Sequence, residues 1–145
     1  MKAADFLWLN AKILSAYNDT VSKTCQEYKL NKTCFNVLIF LKNNPHENTA
    51  RSIVEKRGIK KAMVSVAIEQ LVNLGYLKRY SDSEDRRIQR LELSEQSDKI
   101  TSLGLSMQHI FQKKLFGEMS DEQRTEYLKT SEMLLTALQK MESAE

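Results

Sequence analysis

The sequence predicts a mainly α-helical fold with a small β-wing: a winged helix-turn-helix flanked by N-terminal and C-terminal helices. Two short helical segments are separated by a tight turn at Gly58, and the second of them begins with two lysines. The helical periodicity then gives way to two short segments that suit strands, the second ending at Leu93. Two helices divided by a glycine-containing turn are typical of a helix-turn-helix, and a hairpin directly after them is a wing.

The first two helices are predicted from apolar spacing and from the residues that begin and end helices. Apolar residues at three- and four-residue spacing form the stripe of an amphipathic helix over about residues 4–28: Leu9, Ile13, Leu14, Tyr17 and Val21. Asn31 is a suitable N-cap for a second helix. That helix is expected to end before Pro45, because a residue that precedes proline is disfavoured in the helical region.

The helix-turn-helix is predicted from its own caps. Thr49 is a suitable N-cap for a third helix, and Gly58 fits a left-handed C-terminal cap. A fourth helix is expected over about residues 60–74, ending at Gly75. Its inward face contains Val64, Ala67, Ile68 and Leu71.

Two strands and two further helices complete the prediction. Residues 76–80 and 87–93 suit strands, and the polar sequence of residues 81–85 suits the turn between them. Ser94 is expected to cap the next helix, and residues 120–123 form a capping-box pattern that opens the last one. The last helix is expected to place five apolar residues inside: Leu128, Leu134, Leu135, Leu138 and Met141.

Length and composition exclude several classes of protein. The 145 residues suit about one domain, and no stretch reaches membrane-spanning length, so we expect a cytoplasmic protein with reduced cysteines. His46 and His109 do not pair with each other or with a cysteine at metal-ligand spacing, and we expect neither a metal nor another cofactor. Phosphate-binding loops, nucleophile elbows and His-centred acid–base pairs are absent from the sequence, so we expect no enzyme.

The positive charge is concentrated in the middle of the chain. Residues 51–90 contain ten basic and five acidic residues, a net charge of +5, whereas the whole chain carries +3 and the remainder therefore −2. This asymmetry places any polyanion-binding surface in the predicted winged helix, although an ordinary solvated basic face is an equal alternative from charge alone.

The outward face of the fourth helix contains the candidate base-reading residues. A helix in the major groove reads bases mainly through its first turns. Ser65 can bond to base edges, while Ala62 and Val66 can lie against thymine methyl groups. Lys60 and Lys61 can reach phosphates or guanine acceptors. A single exposed valine is also common on surfaces that bind nothing.

The wing contains the densest group of cations in the chain. Arg86 and Arg87 follow the predicted turn and Arg90 lies further along the second strand, while Arg79 and Lys78 lie on the preceding strand. Arginines at a hairpin tip are well placed to enter a narrow minor groove, where the negative potential is focused. The alternative is that Asp85 and its neighbour Glu84 pair with these arginines and only hold the turn, and both roles can coexist.

These residues resemble the MarR family of bacterial regulators. The resemblance extends from Ile53-Val54 through Gly58-Ile59-Lys60-Lys61 and Gly75-Tyr76-Leu77 to Leu91-Glu92-Leu93-Ser94, and its most specific part is Asp85-Arg86-Arg87. It implies a homodimer in which the helices of residues 1–30 and 95–145 dimerise and residues 31–94 form the DNA-binding domain. It further implies a repressor that binds a near-palindromic operator in double-stranded DNA and is released by a small molecule or another effector.

Three positions depart from the pattern of this family. Arg57 replaces a usually apolar residue, Ala62 a small hydroxyl residue, and Ser97 a glycine. These departures concern the operator sequence and not the fold.

The sequence also suggests two candidate regulatory sites. Trp8, Tyr17, Tyr28 and Phe35 could line an effector pocket, although aromatic residues at helical spacing are more often plain core. Cys25 and Cys34 could sense oxidants because lysines lie nearby, although buried free cysteine is the commoner case. The rival to a DNA-binding regulator is a winged-helix module that binds other proteins without sequence-specific DNA binding.

Overall fold

The computed structural model describes residues 1–144 and confirms the predicted fold class. The described residues form six α-helices, one 3₁₀-helix and a two-stranded antiparallel sheet. The elements are α1 (Ala3–Glu27), α2 (Lys32–Asn43), α3 (Ala50–Arg57), α4 (Lys61–Asn73), β1 (Leu77–Ser81), β2 (Gln89–Leu93), the 3₁₀-helix (Glu95–Ser97), α5 (Asp98–Leu115) and α6 (Asp121–Ser143). The chain forms two compact units, Met1–Gln108 and a second unit that begins at His109.

The caps predicted for α2 and α3 occur in the structure. The Asn31 side chain accepts a hydrogen bond from the backbone N–H of Cys34 at 2.8 Å, and that of Thr49 accepts one from Ser52 at 3.1 Å. Gly58 ends α3 with a φ of 60°, a left-handed conformation that glycine adopts without a Cβ clash. The turn between α3 and α4 is therefore set by local sequence.

Helix α2 is the centre of the first unit. Seven of its 12 residues are buried, and it packs against α1, α4 and β2. Gly104 of α5 lies directly on this helix: a Cβ there would clash with the Ile39 Cδ1 atom and come within 3.0 Å of the Phe35 Cζ atom. The close approach of α5 to α2 therefore depends on a residue without a side chain.

The wing is a regular antiparallel hairpin. Leu77 pairs with Leu93 and Ser81 with Gln89, while Leu77 and Leu91 are buried against the helices. Both strands begin later than predicted. Ser94 does not cap a helix with its side chain but donates its hydroxyl to the Gly75 carbonyl, so a 3₁₀ turn precedes α5.

The second unit contains the cap predicted for the last helix. Ser120 and Gln123 form the capping box that opens α6, and the Phe116 ring lies 5.2 Å from the Tyr127 ring.

The apolar residues of α6 differ from the prediction. All five that were expected inside are exposed in the single chain, and no residue of α6 is buried. The exposed fractions are 44% for Leu128, 48% for Leu134, 59% for Leu135, 53% for Leu138 and 68% for Met141. The prediction was wrong for an isolated chain because periodicity marks an apolar face but not what covers it.

Helix α1 also exposes apolar residues at its beginning, including Phe6, Leu7, Trp8 and Leu9. Within residues 1–144, no helix combines the length and hydropathy that a membrane span requires.

Candidate nucleic-acid interface

Helix α4 separates a buried side from an exposed side. Val64, Ala67, Ile68 and Leu71 are buried as predicted. The predicted base-reading residues Lys60, Lys61, Ala62, Ser65 and Val66 are all exposed. Neither lysine forms an ion pair with any residue between 1 and 144, and Val66 exposes 58% of its surface. The start of this helix therefore offers two free cations and an apolar side chain to a partner.

The wing turn is built on the carboxylate of Asp82. It accepts hydrogen bonds from the backbone N–H groups of Glu84 and Asp85, each at 3.1 Å, and from the Arg90 Nε atom at 2.8 Å. The bond from Arg90 and those from the two backbone amides lower the pKa of Asp82 below its ordinary value. The loop between the strands is therefore held by charge-assisted hydrogen bonds.

Arg90 lies between the wing and the loop before α3. Besides Asp82, its guanidinium donates to the Asn48 Oδ1 atom at 3.1 Å, and the side chain is less exposed than those of Arg86 and Arg87. These bonds make Arg90 a brace of the wing, and the DNA contact that the sequence suggested for it stays a prediction. Charge alone cannot distinguish a brace of the wing from a DNA contact, because the partners of Arg90 are fixed only by the fold.

Asn48 is a residue that sequence reasoning missed. Its backbone oxygen accepts from the Leu91 N–H at 2.8 Å, and its side-chain amide donates to the Leu91 carbonyl at 2.9 Å. The same amide donates to the Tyr80 hydroxyl at 3.2 Å. The wing is thereby fixed to the helix-turn-helix, and the only signal in the sequence is an asparagine directly before the Thr49 cap.

The two arginines at the wing tip differ in their partners. The backbone N–H, Nε and Nη2 groups of Arg87 all donate to the Asp85 carboxylate at 3.0 Å. These bonds lower the pKa of Asp85 and raise the pKa of Arg87. Arg86 is exposed and forms no ion pair with residues 1–144. Arg87 is thus oriented by Asp85, and Arg86 is the free cation of the tip.

Arg79 joins the wing to α4. Its Nη2 atom lies 2.7 Å from the Glu69 Oε2 atom, in an ion pair that is open to solvent on both sides. Ser65, Glu69, Arg79 and Gln89 line one cavity of about 230 Å³. The outward side of α4 and the face of the wing therefore border the same groove.

The four predicted effector residues differ widely in their environment. Trp8 is exposed, Tyr17 and Tyr28 are half-buried, and Phe35 is fully buried in the core beneath Gly104. The Tyr17 hydroxyl accepts from the Gln108 Nε2 atom at 3.2 Å, and its pKa is raised by burial. Phe35 is therefore a core residue, and an effector could reach it only after a rearrangement of α5.

Both cysteines are buried free thiols. Burial raises the pKa of Cys25, and the nearby charge of Lys32 offsets this only partly. Burial also raises the pKa of Cys34, whose thiol donates to the Gln70 Oε1 atom at 3.2 Å. Oxidant sensing needs an exposed thiolate, so this environment does not favour the redox role suggested by the neighbouring lysines. In the chain up to residue 144, no three His, Cys, Asp or Glu residues are grouped so that they could hold a metal ion.

We expect both native thiols to react with iodoacetamide at least about 100-fold more slowly than in denaturant, because reaction requires opening of the core. The neutral thiols also stabilise the native state below the ordinary thiol pKa of 9.0, and this contribution is lost as the pH rises through their raised native pKa values. Mass spectrometry of alkylated protein measures the rates. A Ser106→Cys variant adds an exposed control thiol on α5 that should react rapidly. Equal rates for all three thiols would contradict the assignment.

We expect Asp82→Asn to loosen the wing turn, because the neutral amide loses the charge-assisted bond to Arg90. Hydrogen exchange at the Glu84 and Asp85 amides, followed by NMR, should become severalfold faster. In the native protein the lowered pKa means that this stabilisation is present above the ordinary carboxyl pKa of 3.8 and is lost as the pH falls through the native pKa. Asp98→Asn, at the start of α5, is the matched control. Unchanged exchange in Asp82→Asn would disprove the role of this carboxylate.

Comparisons with known proteins agree with this geometry. The sequence model of the MarR family matches residues 28–88, which span α2 to the wing turn. A MarR protein from Peptoclostridium difficile has 20% sequence identity and a TM-score of 0.83, with 97% of this chain and 92% of that chain covered. A MarR transcriptional regulator from Methanosarcina mazei has 20% identity and a TM-score of 0.80, with 97% and 94% covered. No curated protein sequence matches the chain.

A third structure belongs to a protein with a reported ligand. Bordetella bronchiseptica BpsR, whose DNA binding is regulated by 6-hydroxynicotinic acid, has 18% identity and a TM-score of 0.70, with 90% of this chain and 98% of that chain covered. At these identities the structures show the fold alone. Fold and site together define a winged helix-turn-helix protein. Residues 28–88, which contain most of the winged helix, are similar to the MarR family of transcriptional regulators, and the solved structures share its fold.

Proposed function

We propose that the protein is a cytoplasmic bacterial transcription repressor, and not an enzyme, that binds a near-palindromic operator as a homodimer. The observation that carries this proposal is that α4, which begins with free cations, and the wing, whose tip has another, border one cavity. Lys60 and Lys61 are free at the start of α4, Arg86 is free at the wing tip, and α4 and the wing border the same cavity. A basic helix beside a basic hairpin suits a major groove and its flanking minor groove.

The exposed face of α4 supports a role in reading base sequence. Ser65 is a hydroxyl donor and acceptor without a competing side-chain partner among residues 1–144, and Ala62 and Val66 flank it. Two such helices about 34 Å apart would meet successive major grooves on one side of the duplex. Arg79 is paired with Glu69 and Arg90 with Asp82, so we assign these two arginines to positioning the wing.

Dimerisation is supported by the apolar faces that the single chain exposes. Five large apolar side chains of α6 and four near the start of α1 face solvent, which is unusual for a protein that acts as a monomer. We propose that the N-terminal and C-terminal helices bury these faces against a second copy, which would also place two recognition helices on one operator.

We expect Leu135→Glu to shift the protein from dimer to monomer at micromolar concentration, because a buried unpaired carboxylate costs several kcal/mol. Size-exclusion chromatography with light scattering measures the mass. Leu135→Met retains an apolar side chain of similar volume and should remain dimeric. A wild-type monomer, or a Leu135→Glu variant as dimeric as wild type, would contradict the proposed interface.

The DNA-binding proposal is tested by mobility shift with the DNA upstream of the protein's own gene at two salt concentrations. Six or more phosphate contacts should weaken binding by about 10³-fold or more between about 50 and 200 mM salt. Ser65→Ala should bind the wild-type site more weakly and lose preference at one base position, with affinity for unrelated DNA unchanged. An absence of binding at low salt would overturn the proposal and favour the rival, a winged-helix module for protein contacts.

Regulation by a small molecule is the last part of the proposal. BpsR responds to 6-hydroxynicotinic acid, and its fold matches 90% of this chain. An effector that favours a non-binding dimer by a few kcal/mol would be sufficient to release the operator.

A further inference from the structure

Two apolar side chains face outward at the start of α4, where the core does not use them. Val66 exposes 58% of its surface, and Ala62, one helical turn earlier, is also exposed. Val64 and Leu71 lie on the opposite side of the helix and are fully buried. The dimer proposed above covers faces of α1 and α6, so it leaves Val66 open. This valine is therefore free to contact a partner on the surface that is proposed to meet DNA.

The same part of α4 offers few groups that read bases by hydrogen bonds. The planar side chains that form two hydrogen bonds to one purine are arginine, asparagine and glutamine, and residues 60–66 contain none of them. The next such residue is Gln70, whose side-chain oxygen accepts from the Asn31 amide at 3.3 Å and from the Cys34 thiol at 3.2 Å. These bonds hold Gln70 toward α2. Apolar contact therefore has a larger share in base reading than is usual for such a helix.

Thymine is the base whose major-groove edge suits an apolar side chain. It presents a C5-methyl group there, whereas the other three bases carry no methyl group. A valine against a polar base edge would displace water without replacing its hydrogen bonds, which costs free energy. Against a thymine methyl group, the same valine buries apolar surface of both partners.

The positions of the two side chains suit neighbouring thymines. Residues four apart on a helix have Cβ atoms about 5–6 Å apart. Successive base pairs are stacked at about 3.4 Å, so Ala62 and Val66 reach base pairs one or two steps apart. Valine is branched at Cβ and stiff about χ1, and its methyl groups are therefore held in place before any contact forms.

We infer that Val66 determines preference at one base position by contacting the C5-methyl group of a thymine in each half-site of the operator, with Ala62 against a neighbouring thymine. The inference rests on the proposed DNA binding and adds to it the chemical group that is read. Lys60 and Lys61 form no ion pair within the described residues, so their charges complement the phosphates beside this contact. The protein thus recognises a methyl group, which 5-methylcytosine also carries.

The test uses the operator found by mobility shift, with each thymine replaced in turn by uracil, which differs from thymine by the methyl group alone. Fluorescence anisotropy with the full-length protein measures affinity. We expect one or two sensitive positions per half-site, where replacement in both half-sites weakens binding about tenfold because two methyl contacts are lost. The remaining replacements should have no effect. At the most sensitive position, a 5-methylcytosine–guanine pair should bind about tenfold more tightly than a cytosine–guanine pair.

Variants connect the methyl group to Val66. In Val66→Ala the same uracil replacement should cost less than about threefold, because the side chain that contacts the methyl group has been shortened. Leu74→Ala shortens an apolar side chain that is 48% exposed at the far end of α4, and it should keep the full sensitivity of wild type.

The outcomes separate this inference from the proposed function. If the protein binds its operator but no uracil replacement weakens binding, or all of them weaken it equally, the methyl group is not read and this inference alone fails. Full uracil sensitivity in Val66→Ala would likewise overturn the role of Val66. If the wild-type protein binds no DNA at low salt, the proposed function fails together with this inference.

Discussion

Operator binding should weaken by roughly 30- to 700-fold when both arginines of the wing tip are removed in an Arg86→Ala/Arg87→Ala double variant. The dimer would lose four guanidinium groups. A total of about 2–4 kcal/mol allows about 0.5–1 kcal/mol for each, at or below the lower limit of the roughly 1–3 kcal/mol for an arginine that reads a base, because these arginines are exposed. Arg86 should account for most of the loss because it has no carboxylate partner, whereas Arg87 must share its charge with Asp85.

The salt dependence provides a second measurement of the same contacts. Each phosphate contact that is lost should reduce the slope of log K against log salt by about 0.9. Fluorescence anisotropy with a labelled operator measures affinity and slope together. Lys129→Ala/Lys140→Ala removes the same number of charges from exposed positions of α6, and it should leave both quantities unchanged. If the wing variant had the affinity and slope of wild type, the wing would not contact DNA.

The single variants separate charge from wing geometry. Arg87→Ala also leaves the Asp85 carboxylate without its guanidinium, so part of its effect would come from a less ordered tip. Arg86→Ala breaks no hydrogen bond between side chains that the structure describes. A larger loss of affinity in Arg86→Ala than in Arg87→Ala would therefore indicate direct contact with DNA.

The elements that could be predicted from sequence are the helices whose ends are fixed by residues close to them in the chain. Asn31, Thr49 and Ser120 each cap their helix through a backbone amide three residues on, and Gly58 supplies its own left-handed turn. The information lies within one helical turn, so periodicity and caps located all six α-helices to within a few residues.

The details that could not be predicted depend on partners distant in sequence. Arg90 bonds to Asn48, which lies 42 residues away, and the Ser94 hydroxyl bonds to Gly75 and not to its own helix. The turn also extends to Ile88, whose carbonyl accepts from the Asp82 N–H, so the second strand begins two residues later than predicted. The number of arginines in the wing does not show which of them already forms an ion pair with a carboxylate of the same chain.

The apolar face of α6 illustrates a different limit. Spacing correctly grouped Leu134, Leu135, Leu138 and Met141, but a periodic stripe contains no information about which surface covers it. Their exposure in the single chain is the main reason to look for a second copy.

Stability should depend most strongly on Gly104, and we expect Gly104→Val to destabilise the protein by about 3 kcal/mol. A Cβ at this position would meet Ile39 and Phe35, which are almost completely buried and cannot move away without disturbing α2. Valine adds two further methyl groups at the same point. For a chain of this length, the loss corresponds to a fall in the unfolding midpoint of about 6–12 °C at fixed protein concentration.

Two further variants show whether the cause is crowding against α2. Gly104→Ala should be less harmful, because alanine favours the helix by about 1 kcal/mol and so offsets part of the clash. Ser102→Val places the same β-branched side chain on an exposed position of α5 and should change stability by less than about 0.5 kcal/mol. Thermal unfolding followed by circular dichroism ranks all three. A Gly104→Val protein as stable as Ser102→Val would mean that α5 does not approach α2 this closely, and the packing that supports the winged helix would need another explanation.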